Sequence, residues 1–181
     1  IFYSISNTQP GLAGVGLPAT LLKRALAALT EEFPEASTFT TLSPIPGFAK
    51  WLRATPAVQH RRGAHQGDGS DTLTRALAGD EESVQRHKGS LMHLCASYLL
   101  EERRGGGPLD PVCRFHSRGG AQAWKLHWGA NLSAKGKAQS LGLMVNYKYD
   151  PRLAPSRARQ HGRTGAPCAS DELLALLAPP R

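Results

Sequence analysis

The sequence predicts an α/β fold, in which helices pack against a β-sheet. Two observations lead to this prediction. The first 42 residues read as strand, glycine-rich loop, amphipathic helix and strand, and that order typically gives a parallel pair of strands with a right-handed crossover. Later in the chain, two further strand-like segments, 121–128 and 141–149, follow helical patterns. With 181 residues, 40% of them hydrophobic, the chain is long enough for one ordinary core.

The first half contains one strand–loop–helix–strand unit. Residues 1–6 are apolar and typical of a strand, and the loop after them carries Gly11, Gly14 and Gly16. Pro18 begins the helix, because proline at the first helical position has a suitable φ and lacks an N–H that would have no intrahelical acceptor. Pro34 ends the helix, and residues 38–42 form the second strand. The predicted apolar face of the helix consists of Leu21, Leu22, Ala25, Leu26 and Leu29.

The two strands predict a binding site at one edge of the sheet. Parallel strands end at the same edge, the glycine loop follows one of them, and Ser43 follows the other. We therefore expect the loop and Ser43 to be close in space. Glycines allow a ligand to approach the backbone, and a helix N-terminus favours a pyrophosphate. The alternative, a loop that only turns the chain, stays open on this evidence.

Three helices are predicted between residues 71 and 119. One covers residues 90–103, and a short one covers 71–78. Another is predicted around His116, with Asp110 as N-cap, Pro111 as first residue and Gly119 beyond the end; a hairpin turning at 118–120 is the alternative. The strand at 121–128 is expected to bury Trp124 and Trp128 on one face.

The last part of the chain changes in composition. Residues 151–157 are basic and rich in proline, and they predict an irregular segment. A final helix is expected after Ser170, because serine is a favoured N-cap and leucines follow it at helical spacing.

Composition excludes several classes of protein. The 22 Lys and Arg against 14 Asp and Glu give a formal charge of +8, which suits any polyanion, including a phosphorylated ligand. The basic residues are scattered and form no nucleic-acid-binding motif, so we expect no nucleic-acid partner. No apolar run approaches the ~18 residues that span a bilayer, so no membrane insertion is expected. Three separated cysteines, Cys95, Cys113 and Cys168, argue against a disulfide scaffold or a metal site.

Several motifs together resemble the malonyl-CoA decarboxylase family. They are FYSISNTQPGLAGVGL at 2–17, EFPEASTFTTLSPIPGF at 32–48, LCASYLLEERR at 94–104, DPVCRFH at 110–116 and GLMVNYKYD at 142–150. They occur in the family's order over residues 1–150. The resemblance implies a GNAT-like acyltransferase fold with a mixed sheet flanked by helices.

The resemblance also implies how the chain is organised. Residues 1–150 would be a partial catalytic domain, N-terminally truncated and lacking its first strands. Residues 151–181 would be a basic loop with a short C-terminal helix. The full-length protein would be a homo-oligomer, located in the cytoplasm or, in a eukaryote, in the mitochondrial matrix.

The implied reaction converts malonyl-CoA to acetyl-CoA and CO2, within fatty acid metabolism. It needs no separate cofactor, because coenzyme A is part of the substrate. Two alternatives are a GNAT-type acyl-CoA N-acyltransferase and a non-catalytic coenzyme A-binding module.

The resemblance assigns the site residues. Ser43 and His116 would be the catalytic pair, with Ser43 as proton acceptor or polarising group and His116 as proton donor, and Tyr149 would be a supporting hydroxyl near the reacting group. Periodicity alone does not select His116 over His93 or His127. The residues that would line the coenzyme A phosphates are Ala13, Gly14, Val15, Gly16, Leu17, Pro18 and Ala19.

Overall fold

The computed structural model describes residues 2–3, 17–54 and 80–178 of the chain. The helices in these residues are α1 Leu17–Glu32, α2 Phe48–Ala54, α3 Glu81–Arg86, α4 Lys88–Leu100, α5 Pro111–Arg118, α6 Ala134–Ser140, α7 Ala154–Thr164 and α8 Asp171–Ala175. The strands are β1 Phe2–Tyr3, β2 Phe39–Pro44, β3 Arg103–Arg104, β4 Gly107–Pro108, β5 Gln122–His127, β6 Met144–Tyr149 and β7 Cys168–Ala169. The predicted glycine loop, up to residue 16, and the predicted helix at 71–78 lie outside the described residues.

The main sheet is mixed, with the strand order β1-β2-β6-β5-β7. Its two outer pairs, β1 with β2 and β5 with β7, are parallel, and its two inner pairs are antiparallel. The prediction that β1 and β2 are parallel neighbours is confirmed. An α/β fold with a mixed sheet and flanking helices is also confirmed; the comparison with the GNAT fold stays a prediction.

The central register separates two of the predicted site residues along the sheet. Ser43 pairs with Val145, whereas Phe39 at the other end of β2 pairs with Tyr149. Because an antiparallel strand rises about 3.4 Å per residue, Tyr149 lies roughly 14 Å along β6 from the position opposite Ser43. The side chains of Ser43 and Tyr149 can therefore be linked only through a third group that lies between them.

Helix α1 follows the predicted pattern with one difference. Leu22 and Leu26 are buried, and Ala25 and Leu29 are half-buried, but Leu21 is 62% exposed. Placing Leu21 on the core face was wrong, because the buried stripe of α1 is narrower than its apolar stripe. The helix ends at Glu32, shortly before Pro34, as predicted.

Helix α4 confirms the helix predicted at 90–103 and supplies much of the core. Leu91, Cys95, Tyr98 and Leu99 are all buried. The Cys113 thiol of α5 lies 3.6 Å from the Leu99 carbonyl oxygen, which brings α5 against the end of α4. The core therefore extends beneath the helix that carries His116.

Strand β5 differs from the predicted alternation. Its pairing with β6 shifts register between Ala123 and Lys125, and a bulge of this kind changes which side chains face the core. Ala123 and Leu126 are the buried residues, while Trp128 packs partly against the core. The expectation that Trp124 packs in the core was wrong: Lys148 Nζ lies 5.2 Å from the centroid of its ring.

The segment after residue 150 is more regular than expected. Where the composition predicted an irregular basic loop, the chain forms α7, and β7 then joins the main sheet. Pro155 lies in the first turn of α7, where its missing N–H costs no intrahelical bond. Gly165, with φ of 68°, ends the helix. The prediction that Ser170 caps the final helix is confirmed, since its hydroxyl accepts from Leu173 N at 3.1 Å.

Candidate active site

His116 lies on α5, whose local sequence specifies both of its ends. The carboxylate of Asp110 accepts from Val112 N at 3.0 Å and from Cys113 N at 2.8 Å, which caps the helix. Gly119 follows the last helical residue. The predicted helix with these caps is confirmed, and the alternative hairpin at 118–120 is wrong.

The structure brings three predicted site residues into one hydrogen-bonded chain. His116 Nε2 lies 3.2 Å from Ser43 Oγ at the end of β2, and His116 Nδ1 lies 2.7 Å from Tyr149 Oη at the end of β6. All three side chains are buried, with His116 only 3% and Ser43 5% exposed. The imidazole is therefore the group that joins the two separated strand ends. Tyr149 contacts the imidazole on the side opposite Ser43.

The chain of hydroxyl groups continues beyond Ser43. Ser43 Oγ lies 2.8 Å from Thr41 Oγ1, and Thr41 Oγ1 also accepts from Tyr147 N at 3.3 Å. Thr41 and Ser43 are two residues apart on one strand, so their side chains share a face. The ring of Tyr147 stacks on His116 with centroids 4.2 Å apart. The imidazole is thus fixed by a hydrogen bond at each nitrogen and by an aromatic ring against its face.

The electrostatics of the site keep the imidazole neutral. Burial lowers the pKa of His116 from 6.5 to about 3, because the charged form would lose its hydration. Both ring nitrogens contact hydroxyl groups, and neither hydrogen bond goes to a carboxylate. Burial also raises the pKa of the Tyr149 hydroxyl well above its usual value, so this group keeps its proton. A neutral imidazole donates through one nitrogen and accepts through the other.

A buried carboxylate connects the segments that carry Ser43 and His116. Asp110 is 0% exposed and, besides capping α5, accepts from the Gly47 N–H and from Tyr98 Oη at 3.4 Å. Gly47 follows Ser43 by four residues, and a Cβ there would lie 2.1 Å from Tyr98 Oη. Burial raises the pKa of Asp110 to about 6. The N-cap was predictable from sequence, but the links to Gly47 and Tyr98 were not.

Asn146, His127 and His93 make their hydrogen bonds away from His116. The Asn146 side chain donates to the Thr41 carbonyl and contacts His127, so it does not reach His116. His93 Nδ1 lies 2.8 Å from the Leu176 carbonyl oxygen, a contact between helical segments. The two contacts that sequence reasoning missed are those of Thr41 and Tyr147. Strand alternation, which places Thr41 beside Ser43 and Tyr147 beside Tyr149, is the signal that could have found them.

Part of the predicted coenzyme A loop lies within the described residues. Residues 13–16 are outside them, whereas Leu17, Pro18 and Ala19 form the start of the α1 backbone. The first turn of α1 carries no acidic residue, so no side-chain charge there opposes an anion at this helix N-terminus.

Two kinds of feature are absent from the described ranges, a metal-binding cluster and a membrane-spanning helix. No group of three or more His, Cys, Asp or Glu side chains within residues 2–3, 17–54 and 80–178 is arranged to hold a metal ion. In the same part of the chain, no helix has the length and apolar character needed to cross a bilayer. Cys95, Cys113 and Cys168 are all free thiols.

Fold and site together define an α/β domain in which two strands of the mixed sheet and one helix form a buried serine–histidine–tyrosine chain. Residues 1–180 match the family model described as the malonyl-CoA decarboxylase C-terminal domain, and the chain belongs to this family. The resemblance noted in the motifs is therefore confirmed.

Curated relatives include the mitochondrial malonyl-CoA decarboxylases of Mus musculus and Rattus norvegicus. They are 39% and 38% identical over 200 residues, which cover 98% of this chain and 40% of each relative. The chain thus spans about two fifths of the length of the curated relatives it matches.

Solved structures agree with this assignment. The malonyl-CoA decarboxylase from Cupriavidus metallidurans is 40% identical with a TM-score of 0.79, and the match covers 97% of this chain and 47% of that one. The malonyl-CoA decarboxylase from Agrobacterium vitis is 32% identical with a TM-score of 0.84, covering 98% of this chain and 44% of that one.

Proposed function

We propose that the protein formed by this chain decarboxylates malonyl-CoA to acetyl-CoA and CO2, with Ser43 and His116 at the reaction centre. The observation that carries the proposal is the buried contact of 3.2 Å between Ser43 Oγ and His116 Nε2, in a chain whose relatives are named malonyl-CoA decarboxylases. No observation favours the acyltransferase or the non-catalytic alternative.

The reaction has simple chemical requirements. Breaking the carbon–carbon bond releases CO2 and leaves an electron pair on the α-carbon, delocalised as a thioester enolate. The thioester carbonyl accepts this charge, so the proposal includes no separate cofactor. The protein has to stabilise the enolate and to deliver one proton to carbon. A preorganised donor and a positioned acid each contribute about 10²-fold or more to such steps.

Ser43 and His116 can meet these requirements in the observed arrangement. Ser43 precedes Pro44, which keeps its backbone extended at the end of β2. Its hydroxyl lies between His116 and Thr41 in the hydrogen-bonded chain. Ser43 directly follows Leu42, which pairs with Tyr3 of β1. We assign Ser43 as the member of the pair that faces the substrate, and His116 as the member that contacts Ser43 from the side away from the substrate.

Coenzyme A binding is assigned to the loop that precedes α1. Support comes from the family match, from the helix that begins at Leu17, and from the absence of acidic residues in its first turn. The residues proposed to line the phosphates are Ala13, Gly14, Val15, Gly16, Leu17, Pro18 and Ala19.

The compartment is inferred from the names of the relatives. The mammalian relatives are named mitochondrial, which supports the mitochondrial matrix for a eukaryotic source; a bacterial source would place the protein in the cytoplasm. We also propose homo-oligomer formation by the full-length protein and no nucleic-acid partner.

The decisive experiment detects acetyl-CoA formed from malonyl-CoA by mass spectrometry, in D2O. The product of the proposed reaction carries one deuterium in its methyl group, because one solvent proton is added per turnover. Ser43→Ala and His116→Gln are each expected to lower the rate at least about 10²-fold. Leu21→Ala, at an exposed position outside the site, is the matched control and should retain the rate.

The assay is run on the 181-residue chain and on the chain extended upstream to the length of its relatives. Deuterated acetyl-CoA that depends on His116 in either form supports the proposal. Absence of product from both forms would refute it. Release of free coenzyme A from acetyl-CoA with an amine acceptor would instead favour the acyltransferase.

A further inference from the structure

We propose that Tyr149 is a positioning residue that sets the tautomer of His116, donating its hydroxyl proton to Nδ1 so that Nε2–H points at Ser43. His116 is then a hydrogen-bond donor to Ser43, and Tyr149 acts through the imidazole without touching substrate. This inference rests on the proposed decarboxylation for its catalytic consequence, but the tautomer itself can be measured without any turnover.

The first argument is the identity of the group on Nδ1. In a Ser-His-Asp triad a carboxylate accepts from Nδ1–H, which leaves Nε2 as an acceptor and makes the ring a base toward serine. Here the group 2.7 Å from Nδ1 is the phenolic oxygen of Tyr149. A phenol donates readily, so Nδ1 becomes the acceptor and the single ring proton is held on Nε2. The hydrogen bond between histidine and serine therefore runs in the opposite direction from that in the triad.

The second argument is the direction of the remaining hydrogen bonds. With Nε2–H donating to Ser43 Oγ, the serine hydroxyl proton is available to Thr41 Oγ1 at 2.8 Å or to a substrate. Thr41 Oγ1 accepts from Tyr147 N and has a second lone pair that can accept from Ser43 Oγ. Each hydrogen bond along the chain from Tyr149 to Thr41 is then donated in the direction of Thr41.

The third argument is the charge that develops during the reaction. When the enolate carbon takes the proton of Ser43 Oγ, the serine takes the Nε2 proton, and negative charge forms on the imidazole. The Tyr149 hydroxyl on Nδ1 stabilises that charge by a hydrogen bond. Neutral imidazole is known to act as an electrophile in other enzymes when its pKa is lowered. After product leaves, a solvent water protonates the imidazolate and is released as hydroxide, so each turnover consumes one solvent proton.

A cavity gives experimental access to Tyr149. It has a volume of about 610 Å³, and its lining includes Tyr149, Gly119, and residues of α1 and α7. Because Lys23 and Thr30 on its wall are exposed, it opens to solvent. A Cβ at Gly119 would lie 3.4 Å from Tyr149 Oη, so glycine leaves room beside the hydroxyl.

The cavity lies beyond the first turn of α1. Its wall on α1 begins at Lys23, six residues beyond the start of the helix at Leu17. At 1.5 Å per residue, this separates the cavity from the helix N-terminus by about 9 Å or more. A small molecule bound in the cavity can therefore reach Tyr149 at this distance from the N-terminus of α1.

The first test measures the tautomer by ¹⁵N NMR of the histidine-labelled protein, with His116→Gln used to assign the resonances. We expect protonated Nε2 and unprotonated Nδ1 for His116. A ring that carries its proton on Nδ1 would overturn the proposal. This readout does not depend on turnover, so it decides the inference even if malonyl-CoA proves not to be the substrate.

The second test is chemical rescue in whichever form of the protein is active. Tyr149→Phe should lower kcat about 10²-fold with little change in KM, since only a donor on the imidazole is lost. Tyr149→Ala opens the ring's space to the cavity, and phenol should restore at least a tenth of the lost rate. Toluene, which has the same shape but no hydroxyl, should not restore it.

The matched control is Tyr147→Phe, which removes a hydroxyl from the neighbouring stacked ring but leaves the Tyr149–His116 bond intact. It should keep the Nε2–H tautomer of His116. Equal rescue by phenol and toluene would show that Tyr149 only fills space. Wild-type kcat in Tyr149→Phe would likewise refute the proposal.

Discussion

Burial of a neutral histidine predicts a specific loss of stability in acid. His116 has a pKa of about 3 in the folded chain, lowered from 6.5 by burial. A base whose folded-state pKa is lowered contributes stability that is present above pH 6.5 and lost as the pH falls, because the unfolded chain binds the proton first. At pH 5 the unfolded pKa lies 1.5 units above the pH, which corresponds to about 2 kcal/mol.

The assay compares urea unfolding of the wild type and His116→Gln at pH 8 and pH 5. Glutamine keeps a polar group near Nε2 but does not titrate. The free energy of unfolding of the wild type should fall by about 2 kcal/mol more than that of the variant between the two pH values. Other titrating groups, including the buried Asp110, are present in both proteins and cancel to first order in this difference. An equal fall in the two proteins would show that His116 does not titrate differently in the folded and unfolded chains, and would refute the reasoning.

Three further predictions follow from the same contacts. Asp110→Asn should flatten the pH dependence of the free energy of unfolding, because the pKa of this carboxyl is raised from 3.8 to about 6 in the folded chain. The stability that the raised pKa contributes is complete below pH 4 and falls by up to about 3 kcal/mol as the pH rises through 6. Urea unfolding of both proteins measures this difference. Gly120→Ala should destabilise the fold by about 2 kcal/mol or more, because φ is +77° and a Cβ would lie 2.0 Å from the Ala154 carbonyl oxygen; Gly162→Ala, which meets nothing within 4 Å, is the control in thermal unfolding. The pH profile of kcat for the wild-type enzyme should show no ionisation of His116 between pH 5 and 9. A change in kcat near pH 6.5 that disappears in His116→Gln would contradict this.

Local chemistry made several elements predictable from sequence. The helix of His116 follows from an aspartate N-cap, a proline in the first turn and a glycine after the end, all within ten residues. Ser170 specifies the start of the last helix in the same way. Such signals work because capping groups satisfy backbone donors that are only a few residues away.

Predictions failed where distant contacts decided the outcome. The register shift in β5 arises from its pairing with β6, and it moved Trp124 away from the core. Residues 151–157 have an irregular composition, yet part of this segment forms α7, which packs against α5. Intrinsic propensity is a weak signal beside packing of this kind.

The strand–helix–strand unit, the helix of His116 and the family were predictable from sequence, because these depend on local spacing and on motifs in a fixed order. Which hydroxyl meets which nitrogen depends on contacts formed in the folded chain. Ser43 and Tyr149 lie 106 positions apart in the chain, and the antiparallel register of β2 with β6 sets them on opposite sides of His116. The neutral state of the ring was likewise a product of folding, because the pKa of an imidazole depends on the water excluded around it and not on its neighbours in sequence.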